Sequence, residues 1–115
     1  MDVSGHVSVT RGGYRFNRAT GQFVQLVTLK NQSTTGVTGP VSLVVDNLSI
    51  NASLVNGTGT TSNLPPIGSP YVNANLGVSG VLMPGQSVTL TLEFNNPSMM
   101  GITYTTRILA GPGLR

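Results

Sequence analysis

The sequence contains no cysteine, which excludes disulfides, thiolate nucleophiles and thiolate-held metals. Histidine occurs once, as His6, and the only acid near it is Asp2, so a histidine-based metal site has no ligand set. Carboxylates are confined to Asp2, Asp46 and Glu93. A glycosidase pair would have to come from those three, and their separate placements give no reason for two of them to converge at the few-ångström spacing hydrolysis needs. Calcium coordination wants several acidic oxygens, more than Asp46-Asn47 offers. No catalytic residue, cofactor or metal is therefore expected. Tryptophan is absent too, which weighs against a flat aromatic platform for sugars. Among the aromatics, Phe23 and Phe94 fall on inward alternations, and Tyr14 and Tyr71 remain as the candidate platform or contact residues.

Charge is equally sparse. Charged side chains make up 8% of the chain, against about 25% in ordinary soluble domains, so solubility rests on Ser, Thr, Asn, Gln and Gly. The net charge of +3 reflects a shortage of acids more than a basic surface. Arg11, Arg15, Arg18, Lys30, Arg107 and Arg115 are scattered, and only the first three cluster. Neutralising phosphates takes several cations in one footprint, so nucleic acid is not an expected partner. No run of about 18 apolar residues occurs, so no helix is expected to insert in a membrane, and Met1 opens on a polar strand without a leader pattern.

What the chain does have is alternation. Val88, Leu90, Leu92 and Phe94 alternate with Ser87, Thr89, Thr91 and Glu93, the pattern of a strand with one dry and one wet face. Pro84-Gly85 turns the chain into it and Asn95-Asn96-Pro97 stops it. Val3 to Thr10 reads as a first strand, broken by Arg11-Gly12-Gly13. Tyr14-Arg15-Phe16 then turns through Asn17 to Gly21 into a return strand, Gln22 to Asn31. Both faces of that return strand carry apolar residues. Either neighbours cover both sides, or Val24 and Leu26 meet an adjacent domain.

Val41 to Asp46 is a short apolar strand, Leu48 to Val55 alternates as another, and Tyr71 to Leu76 forms a third. Ile102 to Leu109 is the last. Asn56 to Pro70 is the longest loop, of the kind that carries function or moves. Ala110 to Gly113 reads as a linker. At 115 residues this is one domain, all-β, with about seven to eight strands and no helical period. Two antiparallel sheets packed as a sandwich, with Phe23, Leu43, Leu90 and Ile108 meeting between them, is the expected architecture.

Three stretches carry a resemblance. Phe16 to Phe23, then Val27 to Asn31 followed by a Gly/Ser/Thr loop and Gly39-Pro40-Val41, then Leu82 to Pro97, resemble the immunoglobulin-like accessory domains of bacterial secreted and cell-surface proteins. They are similar to the broad group of NEW3-like and CARDB-like modules. The resemblance implies an immunoglobulin-like antiparallel β-sandwich acting as a spacer or adhesion module. It implies no shared active site, hence no enzyme, and residues 1–115 as one domain cut from a larger secreted or surface protein. Partners would be neighbouring domains of the same polypeptide, or other surface proteins or glycans.

Two alternatives stand beside the spacer. One is a ligand-binding module using the Asn56 to Tyr71 loop; the other is strand-mediated self-assembly through Val3 to Thr10. Two chemical readings are weaker. An intramolecular isopeptide bond from Lys30, with Glu93 as relay, needs a buried lysine, and Lys30 falls at a strand end on the mixed face. Sequons at Asn31, Asn47, Asn51 and Asn56 follow from composition in a chain this rich in Asn, Ser and Thr.

Overall fold

The computed structural model describes residues 1–113 and Arg115. The described residues form ten strands and no helix. Strand β9 (Ser87–Asn95) buries Leu90, Leu92 and Phe94 and turns Thr89 and Thr91 to solvent. It pairs antiparallel with β2 (Gln22–Asn31), from Phe23 opposite Phe94 to Lys30 opposite Ser87. β1 (Val7–Asn17) lies outside β2, and the two-residue β5 (Ser53–Leu54) lies outside β9, giving the order β1-β2-β9-β5. The hairpin between β1 and β2 closes where Gly21 takes φ 73, a left-handed conformation that costs glycine nothing.

The second sheet runs β10-β4-β7-β6, with β4 (Val41–Asp46), β6 (Gly59–Thr60), β7 (Pro70–Asn73) and β10 (Thr105–Ala110). A ribbon of β3 (Val37–Thr38) and β8 (Val81–Leu82) closes one end. Val27, Leu29, Leu90, Leu92 and Phe94 from the first sheet share one buried cluster with Val41, Leu43, Val45, Ile108 and Ala110 from the second. Each such side chain contributes about 1.5–3 kcal/mol on leaving water. Phe23 packs against the edge of this cluster. The architecture is all-β, antiparallel and sandwich-like; of the four side chains expected in the gap, Leu43, Leu90 and Ile108 are buried there and Phe23 is half-buried against it.

Several expected elements are displaced, each for a local reason. The first strand begins at Val7, because residues 3–6 turn, with the His6 amide bonding the Val3 carbonyl. It then runs on through Arg11-Gly12-Gly13 as a β-bulge, where the register jumps between Arg11 and Tyr14. Gln25 Nε2 donates to the Gly12 carbonyl there at 2.7 Å, replacing a lost ladder bond.

Leu48 to Val55 is not a strand. Asn47 adopts φ 54, the Ala52 amide turns back onto the Ser49 carbonyl, and only Ser53–Leu54 pairs. The last strand starts at Thr105, since Ser49 and Thr103 bond to each other and hold that stretch off the sheet. The strand expected over Tyr71 to Leu76 ends at Asn73. Ala110 is buried within β10, so it belongs to the core and not to a linker.

Candidate functional site

Strand β4 is buried on both faces. Its inner face meets the core; its outer face, Ser42, Val44 and Asp46, is covered by the loop of residues 61–69 and by Arg115. Arg107, opposite Val44 in the neighbouring strand, ties that cover down. Its guanidinium holds both oxygens of Asp46, at 2.5 and 3.1 Å, and also donates to the carbonyls of Leu64, Pro65 and Pro66. Burial pushes the Asp46 carboxyl up, but the Arg107 and Ser69 hydrogen bonds and the arginine's charge outweigh it and hold the group below its ordinary value. Asp46, one of the three carboxylates of the chain, is buried. The long loop, of the kind expected to carry function or to move, contains β6 and is latched to the sheet.

A second polar cluster spans the open side between the sheets. Tyr104 Oη donates to Gln25 Oε1, both buried. Arg11 stacks on the Tyr104 ring at 4.6 Å and donates to the Tyr104 carbonyl at 2.9 Å. Tyr14 packs edge-on against Phe94, 5.9 Å between centroids, and its hydroxyl reaches the Ile102 carbonyl. Burial raises the pKa of Tyr104 despite the lowering effect of Arg11. Arg11 is thereby drawn from the cluster with Arg15 and Arg18 into a structural role.

The third feature is an apolar surface at the end of the sandwich where β9 finishes. Ile50 is 104% exposed, and Met99 and Met100 are 61% and 65% exposed. Their loops are rigidly tied: Asn51 Nδ2 donates to Asn96 Oδ1 and to the Gly101 carbonyl, and buried Asn96 donates to the Met100 carbonyl. Met99 sits at φ 57, a left-handed conformation unfavourable for a side chain of its size. A cleft lined by Tyr14, Phe23, Met99, Met100 and Ile102 joins these tips to the β1–β2 hairpin, where Phe16 and Phe23 lie 5.1 Å apart. This end is the candidate interaction surface. Sequence patterning does not find it, because Ile50 falls on the alternation of Leu48 to Val55; the adjacent methionines that follow the Asn-Asn-Pro stop are the available signal.

The four contact residues named from sequence are not brought together. Tyr14 belongs to the apolar end. Tyr71 stands on β7 of the other sheet, its ring over Gly59, where an added Cβ would lie 2.7 Å from the hydroxyl. Val24 and Leu26 lie on the outer face of the first sheet; Leu26 is 47% exposed, and Val24 lines a shallow cleft with Arg15, Phe16, Arg18 and Glu93. Lys30 is exposed at its strand end. All four sequon asparagines use their amide nitrogens inside the fold: Asn31 to Thr35 and Leu82, Asn47 to Thr105, Asn51 to Asn96, Asn56 to Thr91. Neither the protein-family models nor the curated proteins compared with this chain give a match.

Proposed function

We propose that this chain is a non-catalytic, immunoglobulin-like module that spaces, orients and docks neighbouring parts of a secreted or cell-surface bacterial protein. The reading is carried by the apolar end: three protruding side chains, Ile50, Met99 and Met100, on loops that hydrogen bonds hold rigid. Rigid apolar tips suit a contact that is kept in register, here with an adjacent domain of the same polypeptide. Further support comes from the latching of the 61–69 loop, which leaves the module stiff, and from the resemblance to NEW3-like and CARDB-like domains. The test is hydrogen exchange over residues 47–52 and 96–101, in the module alone and in a polypeptide extended by its flanking sequence. Added protection there is expected, and equal exchange rejects docking through this end. Saturable glycan binding that Tyr71→Ala abolishes would replace the spacer with the ligand-binding reading.

A second reading is favoured by one observation. β1 is an eleven-residue edge strand paired on one side only, whereas the outer edge of β10 is occupied by Met1 to Ser4. Strand addition would therefore use Val7 to Asn17. A monomeric mass at high concentration rejects it.

A further inference from the structure

The outer face of the second sheet contains a slot whose walls are complementary to one residue type. At one end Ser42 Oγ, the Pro40 carbonyl and the Gly111 carbonyl receive a guanidinium, from Nε at 2.8 Å, Nη2 at 2.8 Å and Nη1 at 3.0 Å. At the other end the successive amides of Ser62, Asn63 and Leu64 converge on one backbone oxygen at 3.2, 3.0 and 2.8 Å. Three consecutive N–H groups aimed at one point form a nest that favours an electron-rich oxygen, best of all a carboxylate. The residue that fills both ends is Arg115, 7% exposed.

The acceptors are fixed in advance. Ser42 Oγ gives its own hydrogen to Asn73 Oδ1, which leaves its lone pairs for the guanidinium. Asp46, the acid on the same face of β4, is already engaged by Arg107 and Ser69. All three groups facing the guanidinium are thus neutral, and they are spread over its planar fork in a way that a lysine ammonium could not span. Six hydrogen bonds hold the occupant, and its tether departs from β10 through Gly111 and Gly113, at φ 93 and 110. Those left-handed conformations are strained for any residue with a side chain.

We propose that this slot is a recognition site for an arginine residue of an extended peptide, occupied in cis by Arg115, so that an external arginine-bearing chain enters only by displacing it. The ligand class is a peptide that presents a guanidinium together with the carbonyl or carboxylate oxygen of the same residue. The inference is independent of the docking end and survives its failure.

The test uses the protein with residues 114–115 deleted, which vacates both the guanidinium end and the nest, and a labelled peptide of sequence Gly-Pro-Gly-Leu-Arg with a free carboxyl group. Saturable binding to the variant is expected, weaker by at least about tenfold on wild type, where Arg115 competes, and weaker by a similar factor when citrulline replaces the peptide's arginine. No saturable binding to a folded variant, or equal binding of the citrulline peptide, overturns the proposal. If the variant does not fold, NMR of the wild-type protein in excess peptide decides. Shifts of the Ser42, Ser62, Asn63 and Leu64 amides support the site, and unchanged amides overturn it.

Discussion

Arg107 is the side chain that joins the last strand, the buried acid of β4 and the long loop, so its removal tests the latch directly. Its guanidinium makes five hydrogen bonds, two to Asp46 and three to the carbonyls of Leu64, Pro65 and Pro66. Arg107→Ala leaves the Asp46 carboxylate, 6% exposed at its side chain, with Ser69 as its remaining side-chain donor. An orphaned buried charge costs about 3–5 kcal/mol. The three loop carbonyls turn to water when the loop lifts and add little. Measured against the 5–15 kcal/mol typical of a domain, this is a large fraction. At about 4 °C per kcal/mol for a chain of this size, Tm should fall by roughly 10–20 °C.

Calorimetry at pH 7 reads this directly, and adding Asp46→Asn to Arg107→Ala should recover part of the loss, because a neutral amide is cheaper to bury than a bare carboxylate. The acid limb gives an independent check. The folded carboxyl lies below its unfolded value of about 3.9, so the stability it contributes is present above that pH and drains away as pH falls through the folded value. Wild type should show that loss below about pH 4, and Arg107→Ala should lack it. A variant within about 1 kcal/mol of wild type, well short of the orphaned-charge cost, or an unchanged acid limb, refutes the assignment of Arg107 as the latch.

Asn31→Ala should cost about 2–3 kcal/mol in urea unfolding, since it strips donors from the carbonyls of Thr35 and Leu82 in a fully buried position; a loss under half a kilocalorie would show that water replaces the amide. Tyr104→Phe should cost about 1–2 kcal/mol by leaving Gln25 Oε1 without its donor. Because the Tyr104 phenol titrates above its ordinary value in the fold, wild-type stability should decline above about pH 10, and the phenylalanine variant should decline less. Ile50→Ser with Met100→Ser should change stability by no more than about 0.5 kcal/mol, as both side chains are exposed; a larger loss in thermal unfolding means the end is part of the core. Intact mass should equal the sequence mass, because Lys30 is exposed and unsuited to an isopeptide bond, whose formation would remove one ammonia.

The elements that could be read from sequence are those in which a strand has one wet and one dry face. β9 follows that alternation, whereas β2 carries apolar residues on both faces and shows the alternation only in its burial; the bounds of both are legible because a turn or an Asn-Pro stop flanks each one. β4 was legible as a short apolar run, though not as a strand covered twice, since nothing local announces that Arg107 and Arg115 will bring a loop over it. Leu48, Ile50 and Ala52 show the limit of patterning: they alternate as a strand does, yet Asn47 at φ 54 turns the backbone first and leaves Ile50 in water. The bulge at Gly12-Gly13 was invisible for the converse reason. Two glycines signal a break, and only the amide of Gln25, thirteen residues away, keeps the strand continuous. The apolar end escapes because its members come from two separate turns and from the strands of the β1–β2 hairpin, which only the assembled sheets bring side by side.

Scarcity of acids shapes how this protein holds its arginines. With three carboxylates in the chain, only Arg107 meets an acid among the described residues. Arg11 is held by a carbonyl and an aromatic face, Arg115 by two carbonyls and a hydroxyl, and Arg107 itself spends three of its five bonds on carbonyls. Backbone carbonyls that strands and turns leave unpaired become the counterparts of the cations. Each of these three arginines joins segments far apart in sequence: Arg11 the bulge to the approach of β10, Arg107 the last strand to the long loop, Arg115 the segment after β10 to the start of β4. Such bonds are to fixed dipoles, so added salt has little to screen. The same economy explains why a chain so poor in charge still has its long loop bound firmly to the sheet: apart from the Ser69 hydroxyl on Asp46, the loop is fastened through its own carbonyls and amides, which no side-chain pattern in residues 61–69 discloses.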